Sequence, residues 1–279
     1  MSTPTPSPAY VMGHTDPERR RLALQASVLN PLTRTFLQRA GISGGMRVLD
    51  MGCGVGEVSR IAASLVGSHG YVTGIDIDPV ALEVARARVR EDGTSHVSFE
   101  HSSLLEYQPE HLYDAVIGRL ILIHTPDPVE ALRKAIALTH AGGVVAFQEY
   151  DLAHASPAAA ILPLVARMGR LLIELFPKIV PHADIGLRLF ALMQQAGLPP
   201  PVCTAECAVE GGPDSPVYEW FAETVRTMLP MLEKHGLATA ADIDIDTLAD
   251  RLRQESLERQ APILGPMLLG AFARKPSPE

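Results

Sequence analysis

The segment LDMGCGVGEVS, Leu49 to Ser59, narrows the folds open to this chain more than any other. The apolar run MRVLDM leads into it and fits a buried strand. Three alternating glycines follow, and then Val58, Ile61, Ala62, Leu65 and Val66 recur at helical spacing. A strand that turns through glycines into a helix opens a parallel sheet with helices packed on it. Glycines tolerate positive φ and let the backbone come close to a ligand. The helix start that follows offers unpaired N–H groups and the positive end of a dipole. A pyrophosphate suits such a turn, and so does the carboxylate of an amino-acid moiety.

The unit recurs in kind. YVTGID reads as a second strand, HVSFEH as a third, YDAVIGRL as a fourth and GGVVAFQEY as a fifth. DPVALEVARARVRED reads as a helix capped by Asp78, and PDPVEALRKAIALTHAGG as one ending at its glycines. Strands alternating with helices predict a doubly wound parallel sheet whose ligand lies beyond the carboxyl ends of the strands, where strand order reverses. Before the loop, two helices are expected, one starting near Thr15 or Asp16 and a second from about Pro31 to Ala40, stopping at Gly41. After Asp151 the rhythm changes. PAAAILPLVARMGRLLIELFP is apolar on nearly every side and is expected to bend at Pro163, and 215–257 is again helical. PPVCTAECAVE and APILGPMLLGAFARKP read as late strands, with Cys203 and Cys207 as small core residues.

Composition removes several classes. The net charge is −8, from 24 basic and 32 acidic residues, so no basic stripe awaits nucleic acid, and Arg19-Arg20-Arg21 reads as a solvated helix face. No apolar run reaches membrane-spanning length. Three cysteines without a C-x-x-C pair, and MSTPTPSPAY as a flexible tail without a signal core, fit a cytoplasmic protein in a reducing compartment.

Spacing then narrows the ligand. The dinucleotide fingerprint is G-x-G-x-x-G. Here the glycines are Gly52, Gly54 and Gly56, and Glu57 stands where the third is needed. Asp50 and Glu57 both place negative charge beside the loop, which favours a cationic nucleoside over a dinucleotide.

VLDMGCGVGEVS resembles the first motif of the S-adenosylmethionine-dependent methyltransferases of the Rossmann-like class, and GIDIDPVALEVAR resembles their second. HVSFEHSSLLEY, YDAVIGRLILIHTPDP and AGGVVAFQEYD follow in the family's order, so the resemblance covers about 46–151. It implies an α/β Rossmann-like sheet, mostly parallel with an antiparallel last strand, and S-adenosylmethionine as cofactor. It also implies that Asp50, Gly52, Cys53, Gly54 and Gly56 form the cofactor loop, that Asp76 holds the ribose hydroxyls and that Ile77 lies against the adenine. Ser103 stands where the family often has an aspartate for the adenine amino group, with the Leu104 backbone beside it. Arg119 joins the cofactor set. YVMGHTDPERRRLALQ resembles the start of a bacterial subgroup acting on small molecules, which brings Tyr10 and Gln25 to the methionine end. The domain division expected is an arm over 1–40 covering the cofactor and a methyltransferase domain over 41–279, with helical lid insertions at about 154–183 and 213–258.

Methyl transfer from a sulfonium needs alignment first and a base only where the nucleophile keeps its proton. His124, Glu149 and Tyr10 are the favoured catalytic residues by position. Plainer roles stay open for each: a helix-start residue for His124, a strand-end carboxylate paired with Arg119 for Glu149, and packing for Tyr10. His182 reads equally as a turn residue, and Tyr218, Trp220 and Phe221 as plain core or as an aromatic pocket. The catechol-type magnesium aspartate is replaced by Arg119 and Leu120, so no metal is expected, and the nucleic-acid and arginine methyltransferase motifs are missing. What remains is a small, partly apolar acceptor. An aromatic or heterocyclic secondary metabolite is expected, an indole among the candidates, with a homodimer counted among the expected assemblies. An NAD(P)-dependent oxidoreductase, and a protein that binds the cofactor for cyclisation or regulation without methyl transfer, stay open as alternatives.

Overall fold

The computed structural model describes residues 16–154 and 161–277. Tyr10 lies outside the described residues. Helix α1 (Asp16–Arg39) runs through Pro31 without the expected break. A proline removes one N–H and displaces one carbonyl. Leu29, Thr33, Phe36 and Leu37, each 1% exposed, form a buried stripe across it that holds the two halves in one helix.

Strand β1 (Arg47–Met51) and helix α2 (Glu57–Val66) flank the glycine loop. Strand β2 (Tyr71–Asp76), helix α3 (Pro79–Glu91) and strand β3 (Val97–His101) follow, with Asp78 capping α3 as its sequence requires. Then come β4 (Tyr113–Arg119), a 3-10 turn over Leu122–His124, α4 (Pro128–Leu138) and β5 (Thr139–Tyr150). Helix α4 stops short of the glycines expected to end it. Lys275 Nζ donates to the Ile136 and Thr139 carbonyls at that end, and the pairing register slips between Tyr113↔Thr139 and Ala115↔Val144. Gly142 and Gly143 are thereby taken up by an irregularity in the strand.

The remaining elements are α5 (Pro163–Ile179), α6 (Ile185–Ala196), β6 (Val202–Glu206), β7 (Val209–Glu210), α7 (Val217–Lys234), α8 (Ala240–Ile243), α9 (Leu248–Arg259), β8 (Ile263–Leu264) and β9 (Leu268–Arg274). They divide between two compact units.

The sheet unit comprises Leu29–Asp151, Val180–Cys207 and Pro266–Glu279. Its seven strands run in the order β3-β2-β1-β4-β5-β9-β6. β1 to β5 are mutually parallel, and β9 is antiparallel to both neighbours. Strand order reverses between β1 and β4, which sets a crevice at their carboxyl ends. Val48, Val72, Ala115, Ile117 and Val144, each at most 1% exposed, pack with the apolar side of α2. Cys203 is exposed rather than in the core, because β6 is the edge strand, and Cys207 is half-buried.

The helical unit comprises Met1–Val28, Leu152–Ile179 and Ala208–Gly265. Its helix α5 begins at Pro163 instead of bending there. A proline in the first turn gives up an N–H that had no partner. The Glu255 carboxylate of α9 accepts from the Leu164 and Val165 amides and so caps that start. Tyr218 is fully buried, and its hydroxyl donates to Ser256. Arg21 is buried, not solvated as its arginine run suggests, and donates to Gln25. Among the described residues no helix is long and apolar enough to cross a membrane, and no group of three potential metal ligands gathers.

Candidate cofactor site

The crevice where the order reverses is bounded by two strand-to-helix turns, one after β1 and one after β4. In the first, Gly52, Gly54 and Gly56 have φ of 71°, 51° and 82°, the left-handed region that side chains resist. Their surroundings differ. A Cβ on Gly52 would overlap the Ile121 side chain, and one on Gly56 would meet Ala85 and Phe99 at 3.0 Å. A Cβ on Gly54 would meet nothing within 4 Å, so this glycine faces open space. Two of the three are glycine for packing, and one keeps a surface clear.

The loop amides are mostly spent on the protein. Gly52 and Cys53 donate to the Ile75 carbonyl, and Gly56 donates to Cys53. Gly54 donates to Asp76 Oδ2 at 2.8 Å, while Asp76 Oδ1 accepts from the Asp78 amide at 2.9 Å. Each carboxylate oxygen has a second lone pair, so Asp76 can still accept from hydroxyls. Cys53 is 7% exposed, and burial first, then Asp50 and Asp76, pushes its thiol well above the usual range. That leaves it a small filler beside Gly74, not a nucleophile.

Asp50 is 1% exposed. Its Oδ2 accepts from Ser59 Oγ at 2.6 Å, while its buried Oδ1 has no partner among the described residues. Burial pushes its carboxyl up to about 6, against the Ser59 hydrogen bond and the Arg119 charge. Glu57 differs from the expectation that it faces the ligand as a bare anion. Arg88 binds its Oε1 at 2.6 Å, Arg60 lies 3.8 Å from Oε2, and Asn30 Nδ2 donates to Oε2 at 2.9 Å. Its charge is neutralised inside the protein, so the preference for a cationic ligand rests on Asp50.

Arg119 ends β4. Its Nη1 donates to Thr33 Oγ1 at 2.9 Å and Asn30 Oδ1 at 3.2 Å, both neutral acceptors on α1. Nε and Nη2 bond no described residue. Burial draws its pKa down, opposed by Tyr150, Asp50 and Glu57. An unmet carboxylate oxygen and a guanidinium with spare donors therefore stand in one crevice. That donor set fits a zwitterionic amino-acid tail, and the clear face of Gly54 fits a backbone that lets such a tail approach.

At the end of β2, Ile77 is 55% exposed, an apolar surface suited to a flat ring. Ser103 Oγ donates to Glu106 Oε2 at 2.8 Å and accepts from the Glu106 amide, so its proton is committed to its own turn and one lone pair is left. Leu104 is half-buried beside it.

The turn after β4 is built differently. Leu120 has φ 56°, an uncommon conformation for a leucine. Glu149, 0% exposed, then accepts from three successive amides: Oε1 from Ile121 at 3.0 Å and Leu122 at 2.7 Å, and Oε2 from Ile123 at 3.4 Å. Burial pushes its carboxyl up to about 8 despite those three bonds. Glu149 is not paired with Arg119. It caps the turn that carries His124, whose imidazole burial holds below its usual pKa. Gln25 lies in the helical unit, where its Oε1 accepts from Arg21 at 2.8 Å.

No sequence motif marks Asn30 and Thr33 as site residues. They stand 89 and 86 residues from Arg119, and no local pattern marks such a pairing.

The family model described as "Methyltransferase domain" matches residues 42–179. A ubiquinone biosynthesis O-methyltransferase of Bordetella pertussis is 32% identical over 215 residues, 75% of this chain and 83% of that protein. One of the same name from Aromatoleum aromaticum is 36% identical over 121 residues, and there the chain spans 50% of the relative's length. Among solved structures, a SAM-dependent methyltransferase of Aquifex aeolicus superposes with a TM-score of 0.51 at 17% identity, covering 67% of this chain and 90% of that one. The 4+2-cyclase SpnF superposes with a TM-score of 0.54 at 20% identity, covering 89% and 82%.

Proposed function

Because this chain belongs to the S-adenosylmethionine-dependent methyltransferases of the Rossmann-like class, we propose that it moves a methyl group from that cofactor onto an oxygen of a small aromatic acceptor. The observation that carries the cofactor assignment is the pairing of Asp50 Oδ1, buried and unmet, with the spare donors of Arg119. Arg119 takes the carboxylate of the cofactor tail and Asp50 its ammonium. Gly54 presents bare backbone, while Gly52, Cys53 and Gly56 shape the loop. Asp76 accepts from the ribose hydroxyls with the lone pairs left by Gly54 and Asp78, Ile77 covers the adenine, and Ser103 and Leu104 lie at its edge. Tyr10 and Gln25 keep their assignment to the methionine end.

When bound, S-adenosylmethionine supplies a methyl group activated by its sulfonium sulfur. The protein's share is alignment, exclusion of water and removal of one proton. His124 is assigned the proton. Burial keeps its imidazole neutral at pH 7, the form that can accept from a hydroxyl. Glu149 is assigned a positioning role through the turn it caps. Acceptor choice is assigned to the lid insertions at about 154–183 and 213–258, the second of which carries Trp220, 5% exposed and with its Nε1 hydrogen-bonded to no described residue.

The oxygen comes from the relatives' name, which speaks of O-methylation in ubiquinone biosynthesis. It favours a phenolic hydroxyl over an indole. A cyclase shares the fold, so the assay must read transfer itself. Purified protein with methyl-labelled cofactor is presented with catechols, hydroxylated quinone precursors and indoles. Label is expected on phenolic oxygen. Cofactor binding without label in any acceptor supports the non-transferring alternative. Binding of NAD with no response to S-adenosylhomocysteine defeats the cofactor assignment.

A further inference from the structure

We infer that Asn30 and Thr33 of helix α1 are positioning residues for the cofactor tail, acting through Arg119. The inference rests on the assignment of Arg119 to the tail carboxylate.

The guanidinium is held at one end only. Nη1 donates to Thr33 Oγ1 at 2.9 Å and to Asn30 Oδ1 at 3.2 Å, while Nε and Nη2 bond no described residue and are available to a ligand. Thr33 is 1% exposed, so its hydroxyl belongs to the interior and has little freedom. The Asn30 amide is oriented from its other side. Nδ2 donates to Glu57 Oε2 at 2.9 Å, and Arg88 anchors Glu57 through Oε1 at 2.6 Å. An asparagine is the group this place requires. Its oxygen meets a cation and its nitrogen meets an anion, so both charges fix one amide orientation. The acceptors that α1 offers Arg119 are both neutral. A carboxylate in either place would bind the guanidinium bidentately and compete with a ligand's own carboxylate. The arrangement holds Arg119 still without satisfying its charge.

The test compares two ligands that differ only in the tail. S-adenosylhomocysteine carries the amino acid, and 5′-methylthioadenosine keeps the adenosine and sulfur without it. Calorimetry on the full chain with Asn30→Leu and Thr33→Val is expected to show S-adenosylhomocysteine bound about tenfold more weakly, the scale of one charge-assisted hydrogen bond. Methylthioadenosine affinity stays within about twofold. Thr33→Ser, which restores the hydroxyl, returns the wild-type value. Asn30→Asp weakens the tail-bearing ligand most, because it gives Arg119 an internal counter-ion. Equal weakening of both ligands in the Leu and Val variants overturns the inference, since that marks a distorted pocket. Unchanged affinity for S-adenosylhomocysteine overturns it as well. Arg119→Met tests the underlying assignment separately. If it leaves both affinities intact, the tail assignment falls and the inference with it. If it weakens only the tail-bearing ligand while Asn30→Leu and Thr33→Val do nothing, the assignment stands and the inference alone is overturned.

Discussion

Two strand-to-helix turns follow the adjacent strands β1 and β4, and they are built by opposite means. After β1 the chain reverses through three glycines at positive φ, and its amides are absorbed by strand carbonyls and Asp76. After β4 the chain reverses through a leucine at φ 56°, and its amides are gathered by a single side chain, Glu149. The first turn is a property of its own residues. The second depends on a carboxylate more than twenty residues downstream, brought alongside by the pairing of β4 with β5. A turn made by glycines keeps its form if its neighbours shift, whereas a turn made by one buried side chain fails when that side chain goes.

The sharpest way to break this contrast is Glu149→Ala. It leaves three amides of a buried turn without an acceptor, and a loss of about 3 kcal/mol or more is expected on urea unfolding. Glu149→Gln keeps one oxygen for Ile121 and Leu122 and should lose far less. The same pair carries a pH signature. A carboxyl pushed up to about 8 when folded holds its proton where the unfolded chain has lost it. Its contribution to stability therefore declines as pH rises from about 4.5 through about 8. Glu149→Gln should flatten that decline, and an unchanged slope would place Glu149 outside it.

Gly52→Ala comes next, at about 2–3 kcal/mol, because positive φ and overlap with Ile121 act together. Gly54→Ala should cost only about 1 kcal/mol, since its side is open. Yet it should weaken S-adenosylhomocysteine at least about tenfold if the open face is where the tail approaches. Equal effects of the two alanines on stability would erase the distinction drawn between packing and access.

Asp50 gives a gentler test. If Asp50 takes the cofactor ammonium as proposed, its carboxyl, pushed up to about 6, must give up a proton to do so below that pH. Affinity is expected to hold above about pH 6 and to fall by about tenfold per unit beneath it. Asp50→Asn should weaken binding and remove that dependence. The smallest effect belongs to Cys53→Ala, about 1 kcal/mol of stability and little change in cofactor affinity, with the thiol of the parent protein inert to iodoacetamide.

Much of this was legible in the chain itself. The glycines at 52, 54 and 56, the acid ending YVTGID and the alternation of strands with helices are local patterns, so the sheet and the glycine loop could be read directly. Pro31 misled because helix breaking is a local rule, and the buried stripe of Leu29, Thr33, Phe36 and Leu37 overrode it. Glu57 misled in the other direction. Its charge was visible, but Arg88, 31 residues on, neutralises it. The place of Glu149 at a strand end is visible in the sequence, whereas its three amide partners are set by pairing register, which no local pattern carries.

The sequence by itself determined the order of elements, the backbone shape of the first turn and the kind of ligand, because glycine conformations and apolar periodicity act within a few residues. Only the tertiary structure decided which charges stay unmet. Arg119 keeps its donors because α1 offers it neutral partners, and Asp50 keeps an oxygen because Ser59 takes only the other. Whether a buried charge is satisfied depends on side chains that packing brings together from tens of residues away.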